Sequence, residues 1–459
     1  MQLPQALLDS LENIEGFDRE GFLKVHEAGE QVTSIRINPL KWSLPKDLAI
    51  SGRVPWTEYG YYLEKRPSFT FDPHFHAGCY YVQEASSMFL EQALKQTISL
   101  QDDLCILDLS AAPGGKSTHI QSLISANSLL VSNEVIKARA NTLRQNIIKW
   151  GATNVVVTNN DPRQFASLQG FFDVIVVDAP CSGSGLFRKD PEAISEWSRE
   201  NVMLCSGRQQ RILADVLPAL KENGVLIYST CSYSKEEDED IMDWLAGEMD
   251  MENIPLEIHA EWNIVKTVSS SSKSEGYRFY PDKLKGEGFF LACFQKRSGS
   301  GSKKLKLPKA EKASAKERAV VSDWVAMDGL ELLKHKDQVF ALPSALMEAL
   351  PVLQSKLYIQ YAGLGIGEII RDKFIPDHAL AMSAMVKETV PKVELLYEDA
   401  IRFLQKQEMG WVPQGKGWQL ASYKGVNLGW MNVLTGRINN YYPKDLRILK
   451  GFNDSSFEK

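Results

Sequence analysis

A chain of 459 residues, 44% hydrophobic and 24% charged, has the composition of a globular protein but is too long for one core, so about three folding units are expected. No apolar run approaches the roughly 20 residues needed to cross a bilayer, which excludes a helical membrane protein. A net charge of −6 argues mildly against a nucleic-acid partner unless basic residues gather locally.

The opening MQLPQALLDSLENIEGF lacks a basic n-region and has two acidic residues in what would be the apolar core of an export signal, so a cytoplasmic location is expected. Residues 1–95 mix short helices with a strand-like TSIRINPLK and are read as an accessory domain. There Arg36 and Asn38 either tie the strand to its sheet or line an RNA cleft.

From Leu104 to Lys296 strand-like and helix-like segments alternate: CILDLS, GGKSTHIQSLIS, LLVSNE, a helix through Asn146, NVVVTNN, DVIVVDAP, a helix ending near Lys221, and GVLIYST. This order predicts a Rossmann-like α/β domain over 96–297, a parallel doubly wound sheet with ligands at the carboxyl ends of its strands. LDLSAAPGGKS places a small-residue turn, Ser110, Ala111, Ala112, Pro113, Gly114, Gly115 and Lys116, between an apolar strand ending in Asp108 and a helix. Such a turn brings backbone N–H groups close to a ligand, yet neither GxGxxG nor a P-loop pattern is present.

Glu134 ends the second strand, where a carboxylate can take both hydroxyls of a ribose, and Asp161 ends the third, within reach of an adenine amino group. Each is otherwise a helix cap. Three strand ends with no phosphate-binding pattern point to S-adenosyl-L-methionine rather than a dinucleotide.

The six cysteines, Cys79, Cys105, Cys181, Cys205, Cys231 and Cys293, form no C-x-x-C pair. Free thiols are expected, with neither disulfides nor a metal site. Cys181 in DAPCSGSG and Cys231 in YSTCSYS each follow an apolar run at a small-residue turn, whereas the other four read as apolar filler.

The stretch 298–318, rich in Gly, Ser and Lys, reads as a flexible linker, either simply solvated or touching phosphates. Residues 319–400 look α+β. Residues 401–459 have short strand-like runs between glycine turns, with aromatic and basic side chains that suit RNA. Trp411, Trp418 and Trp430 are expected largely in the core there, with Lys424, Arg437, Lys444 and Arg447 as phosphate contacts. The absence of a coiled coil or a repeat suggests a monomer.

SAAPGGKS, DAPCSGSG followed by FRKD, and YSTCSYS resemble the motifs of the RNA cytosine-C5 methyltransferases of the Nop/Sun family. The flanks SIRINPLK, YYVQEASSM and GEGFFLACFQK are similar to that family too, and GVNLGWMN with NNYYPKDLR resembles a PUA-like RNA-binding domain found in one bacterial branch that modifies 16S ribosomal RNA. The resemblance implies an S-adenosyl-L-methionine-dependent enzyme acting on ribosomal RNA or the small ribosomal subunit. It makes Cys231 the thiol that adds to carbon 6, gives Cys181 a part in product release, and places Asp178 beside the ring nitrogen N3 and the cofactor. Lys116 and Arg188 are candidates for favouring a charged sulfur or gripping phosphate, against plain surface charge.

Ser110 stands where the family commonly has Cys or Ala, Ser117 where it has Thr, and EGF at 287–289 where DGF is usual; none removes a reacting group. The same reaction on transfer RNA, and an RNA-binding assembly factor without turnover, are the alternative readings.

Overall fold

The computed structural model describes residues 3–42, 48–298, 311–371 and 373–451. Its centre is a ten-stranded sheet whose main path runs Val265–Val268, Glu275–Phe279, Phe289–Lys296, Leu220–Thr230, Phe172–Asp178, Cys105–Asp108, Leu129–Asn133, Val155–Thr158 and Ile359–Ala362. The five strands from Leu220–Thr230 to Val155–Thr158 are parallel, and those beyond either end pair antiparallel.

The apolar runs behave as a sheet covered on both faces requires. Ile106, Val174, Val176 and Ile227 pack on one side, while Leu107, Ile175, Val177 and Leu226 pack on the other. The helices Gly115–Leu123, Lys137–Trp150 and Arg199–Val216 connect these strands. The second runs past Asn146 to Trp150, where Gly151, at φ 88°, supplies the left-handed turn that ends it.

The chain turns from Cys105–Asp108 first to Leu129–Asn133 on one side and later to Phe172–Asp178 on the other, which opens a crevice at the carboxyl ends of these strands. A four-stranded antiparallel sheet, in the order Ile50–Arg53, Gly60–Leu63, Ser34–Ile37, Tyr80–Val82, precedes this domain. Two further four-stranded sheets follow it, the last in the order Lys392–Glu394, Gly417–Tyr423, Val426–Leu434, Arg437–Asn440.

Of the stretch read as a linker, residues 299–310 lie outside the described residues. Its end already belongs to the helix Ala315–Val321, which Ser314 and Glu317 open with a capping box. Ile359–Ala362, far beyond that stretch in sequence, extends the ten-stranded sheet at its Val155–Thr158 edge. Among the described residues no helix is long and apolar enough to cross a membrane.

Candidate active site

The turn 110–116 is held from outside by its neighbours. Ala111 N–H donates to the Asn133 carbonyl at 2.8 Å, while Arg139 and Asn146 donate to the carbonyls of Ala112 and Pro113 at 2.9 and 2.8 Å. Gly114 has φ 118°, and an added Cβ would stand 3.4 Å from Leu143 and Asn146, so a side chain there is strained. Ser110, Ala111, Ala112 and Gly115 complete the turn, and Ser117 Oγ donates to Asp108 Oδ2 at 2.6 Å.

Asp108 is fully buried, and its Oδ1 has no hydrogen-bond partner. Burial pushes its pKa up to about 7 against the Ser117 hydrogen bond and the nearby Lys116. An unsatisfied buried acceptor beside a glycine cradle suits a bound ligand carrying N–H or O–H groups.

Glu134, 3% exposed, accepts from Ile136 N–H at 2.9 Å and lies 3.6 Å from Arg139. Asp161 accepts from Arg163 N–H at 3.1 Å and forms a capping box with Gln164. The cap role weighed for Asp161 is therefore realised, with the carboxylate still open to solvent.

The two cysteine turns leave the ends of adjacent strands, Phe172–Asp178 and Leu220–Thr230, and meet. Cys181 Sγ and Cys231 Sγ are 2.7 Å apart as free thiols. Gly185 N–H donates to the Cys231 carbonyl at 2.8 Å, and a Cβ at Gly185 would fall 2.7 Å from that oxygen, so only glycine lets the loops close. Cys181 is held well above the ordinary thiol range, first by its hydrogen bond to Cys231, then by burial, with smaller contributions from the charges of Cys231 and Glu237.

Lys116 Nζ reaches Asp178 Oδ2 at 2.7 Å, and Ser229 Oγ donates to Asp178 Oδ1 at 2.9 Å. Burial works to lower the Lys116 ammonium, but Asp178, Asp108 and Cys231 together hold it above its ordinary value. The turn 110–116 thus delivers one cation to the wall of the thiol site.

Family models match three segments: 16S rRNA methyltransferase RsmB/F over residues 95–295, the N-terminal domain of 16S rRNA methyltransferase RsmF over 3–85, and the methyltransferase RsmF PUA domain over 390–448. The ribosomal RNA small subunit methyltransferase F of Aeromonas salmonicida is 30% identical over 439 residues, 90% of each chain, and that of Psychromonas ingrahamii is 30% identical over 97% of each. The chain belongs to the ribosomal RNA small subunit methyltransferase F family. It is an RNA methyltransferase with a Rossmann-like catalytic domain and a C-terminal PUA domain. Among solved structures, a methyltransferase homolog from Pyrococcus horikoshii is 29% identical with TM-score 0.51, over 64% of this chain and 100% of that one. NSun6 from the same organism, with SFG, shares the fold at 22% identity and TM-score 0.54, over 64% of this chain and 98% of that one.

Relative to this family's catalytic domain, the basic residues singled out from sequence fall into two groups. Arg36 is buried over the Trp150 ring and donates to Gln83 at 2.9 Å and to Thr118 at 2.6 Å, which ties the N-terminal sheet to the cofactor helix. Asn38 is likewise buried, donating to the carbonyls of Gly78 and Trp150 at 3.0 Å each. Arg188 is buried against Glu287 at 3.0 Å and donates to the Gly286 carbonyl at 2.9 Å. All three spend their donors inside the protein. Lys424, Arg437, Lys444 and Arg447 are exposed on the PUA domain. Trp430 is core, Trp418 is half-buried against Tyr441, and Trp411 is exposed.

Residues that sequence reasoning passed over complete the site: Ser229 on Asp178, and Ser182, Gln209, Ser232 and Glu237 beneath the thiols. Their signal was present only as small polar residues beside each cysteine and an acidic run, KEEDED, after the second.

Proposed function

We propose that this protein transfers a methyl group from S-adenosyl-L-methionine to carbon 5 of a cytosine in small-subunit ribosomal RNA, through a covalent bond between Cys231 and carbon 6 of the base. The observation that carries this reading is the meeting of two free thiols, 2.7 Å apart, beside the Lys116–Asp178 pair at the mouth of the cofactor turn. A cytosine carbon 5 is a poor nucleophile until a thiolate adds at carbon 6, and one thiol cannot both form that bond and assist its breaking.

The turn 110–116 with Asp178 would hold the cofactor, Glu134 its ribose and Asp161 its adenine, and the bound cofactor supplies an electrophilic methyl group. Cys231, its proton released to solvent, adds to carbon 6 as a thiolate, and charge moves towards N3, where the Lys116 ammonium, held by Asp178, can offer a proton to the ring. Carbon 5 then carries the electron pair that takes the methyl group.

The order of the two thiols is the one the family motifs imply, and what raises Cys181 fits it. Its largest cause is the hydrogen bond with Cys231. Once the Cys231 sulfur is a thioether that interaction weakens, so Cys181 becomes readier to lose its proton and accept the one on carbon 5, directly or through a water. Loss of that proton expels Cys231 and restores the aromatic ring.

Within the same reading, residues 1–95 are an accessory domain, 96–297 catalyse, 319–400 belong to an α+β region and 401–459 bind RNA. The exposed Lys424, Arg437, Lys444 and Arg447 contact phosphate. A target inside a duplex hides carbon 6, so the base is unpaired or flipped out.

The test is incubation of the full chain with methyl-labelled S-adenosyl-L-methionine and unmodified small-subunit particles or their RNA, followed by nucleoside analysis. Label in 5-methylcytidine is expected. Label on another atom or nucleoside refutes the proposal.

A further inference from the structure

Beneath the two thiols lies a carboxylate that the chemistry above does not use. Glu237, on the short helical turn Lys235–Glu237, is fully buried. Its Oε1 accepts from Ser182 N–H at 2.9 Å and from Gln209 Nε2 at 3.1 Å, and its Oε2 accepts from Ser182 Oγ at 2.5 Å and Ser232 Oγ at 2.6 Å. Ser182 follows Cys181, and Ser232 follows Cys231. Gln209 also donates to the carbonyl of Pro180, the residue before Cys181, at 3.0 Å. All four lone-pair positions of one carboxylate are thereby filled by donors from both cysteine turns and the helix behind them.

We infer that Glu237 is the positioning residue for both thiols: one buried carboxylate grips the residue after each cysteine and fixes the two sulfurs at reacting distance. This rests on the cytosine-C5 reading for its catalytic meaning. The two turns come from different strands and are 50 residues apart in sequence, so their spacing depends on bonds across the gap. Gly185 to the Cys231 carbonyl and Tyr233 N–H to Ser184 Oγ, at 3.0 Å, are two such bonds, and Glu237 accepts from both turns at once.

A carboxylate here has a consequence that neutral packing would not have. Among the described residues no cation pairs with Glu237, and burial raises its own pKa against the Ser182 and Ser232 hydrogen bonds. Its charge adds to the causes that keep Cys181 a thiol while Cys231 is free. Glu237 thus acts on the Cys181 thiol through its charge as well as holding both turns in place.

Glu237→Gln keeps the shape and two acceptor positions but removes the charge. The rate of Cys181 alkylation by iodoacetamide, read by peptide mass spectrometry against pH in the full chain without RNA, should rise at lower pH than in the wild type, because a charge that raises the thiol is gone. In methyl transfer, kcat should fall on the order of 10²-fold, while the Kd of S-adenosylhomocysteine changes less than about twofold. An alkylation profile superimposed on the wild type, or an unchanged kcat, overturns the inference. Should Glu237→Gln not fold, Ser182→Ala and Ser232→Ala each remove one hydroxyl donor and should each lower kcat; wild-type kcat in both overturns it equally. Because alkylation needs no RNA, failure of the cytosine-C5 reading would show as absent methyl transfer by the wild type and leave the alkylation result to judge Glu237 alone.

Discussion

At the scale of single residues, the site depends on charges kept where burial disfavours them. Asp108 is the plainest case: the native carboxyl ionises near 7 rather than at 3.8 because it is buried, with one oxygen lacking a partner. Between those values the native state binds more protons than the unfolded chain, so this group's contribution falls as pH rises through the window. Asp108→Asn keeps an acceptor for Ser117 and removes the charge. Denaturant unfolding of the ligand-free protein should show the stability difference shifting towards the variant as pH rises from 5 to 8, by on the order of 1–3 kcal/mol. A difference that stays the same across that range would refute the assignment. Cys181 and Cys231 were legible in the sequence because their motifs set them at strand ends, but Glu237 was not. Its partners Ser182 and Gln209 lie 55 and 28 residues away, and only strand order brings them together.

At the scale of elements, the loops around the thiols are buttressed from the N-terminal part. Phe22, on the helix Arg19–Ala28, packs edge-on at 5.2 Å against Tyr233, two residues beyond Cys231, and Tyr233 stacks on Tyr280 at 5.6 Å. Arg188 belongs to the same arrangement: it binds the Glu30 carbonyl at 3.2 Å as well as Glu287. Arg188→Ala would leave Glu287 buried without its cation, a loss of about 3–5 kcal/mol in unfolding free energy. The salt dependence of RNA binding should stay unchanged, since no phosphate contact is lost; a shallower salt slope with full stability would contradict the placement. In sequence Arg188 shows only a charge, because its partner Glu287 lies 99 residues further on. The core strands were legible for the opposite reason: runs such as VIVVD need apolar cover on both faces, a requirement carried by each strand alone. Helix ends were less so, and the helix expected through Asn146 continues until Gly151 turns the chain.

At the scale of the whole molecule, the catalytic sheet is closed by a strand from the C-terminal region. Val155–Thr158 ends the parallel set and offers an unpaired edge, which Ile359–Ala362 covers. Asn160 then clasps the backbone of Tyr358 from both sides, donating to its carbonyl at 3.0 Å and accepting from its N–H at 2.9 Å. A four-residue strand with intermediate burial carries no alternation strong enough to announce this from sequence. The C-terminal region is thereby joined to the strand that leads into Asp161, and the exposed basic residues of the PUA domain belong to the same chain assembly as the thiols. The most direct test of the account is a covalent trap: Cys181→Ala and Cys231→Ala, each incubated with S-adenosyl-L-methionine and small-subunit RNA or particles, then run on a denaturing gel. A slow-migrating protein–RNA adduct with Cys181→Ala and none with Cys231→Ala is the predicted result; an adduct with Cys231→Ala alone, or with neither, would contradict it.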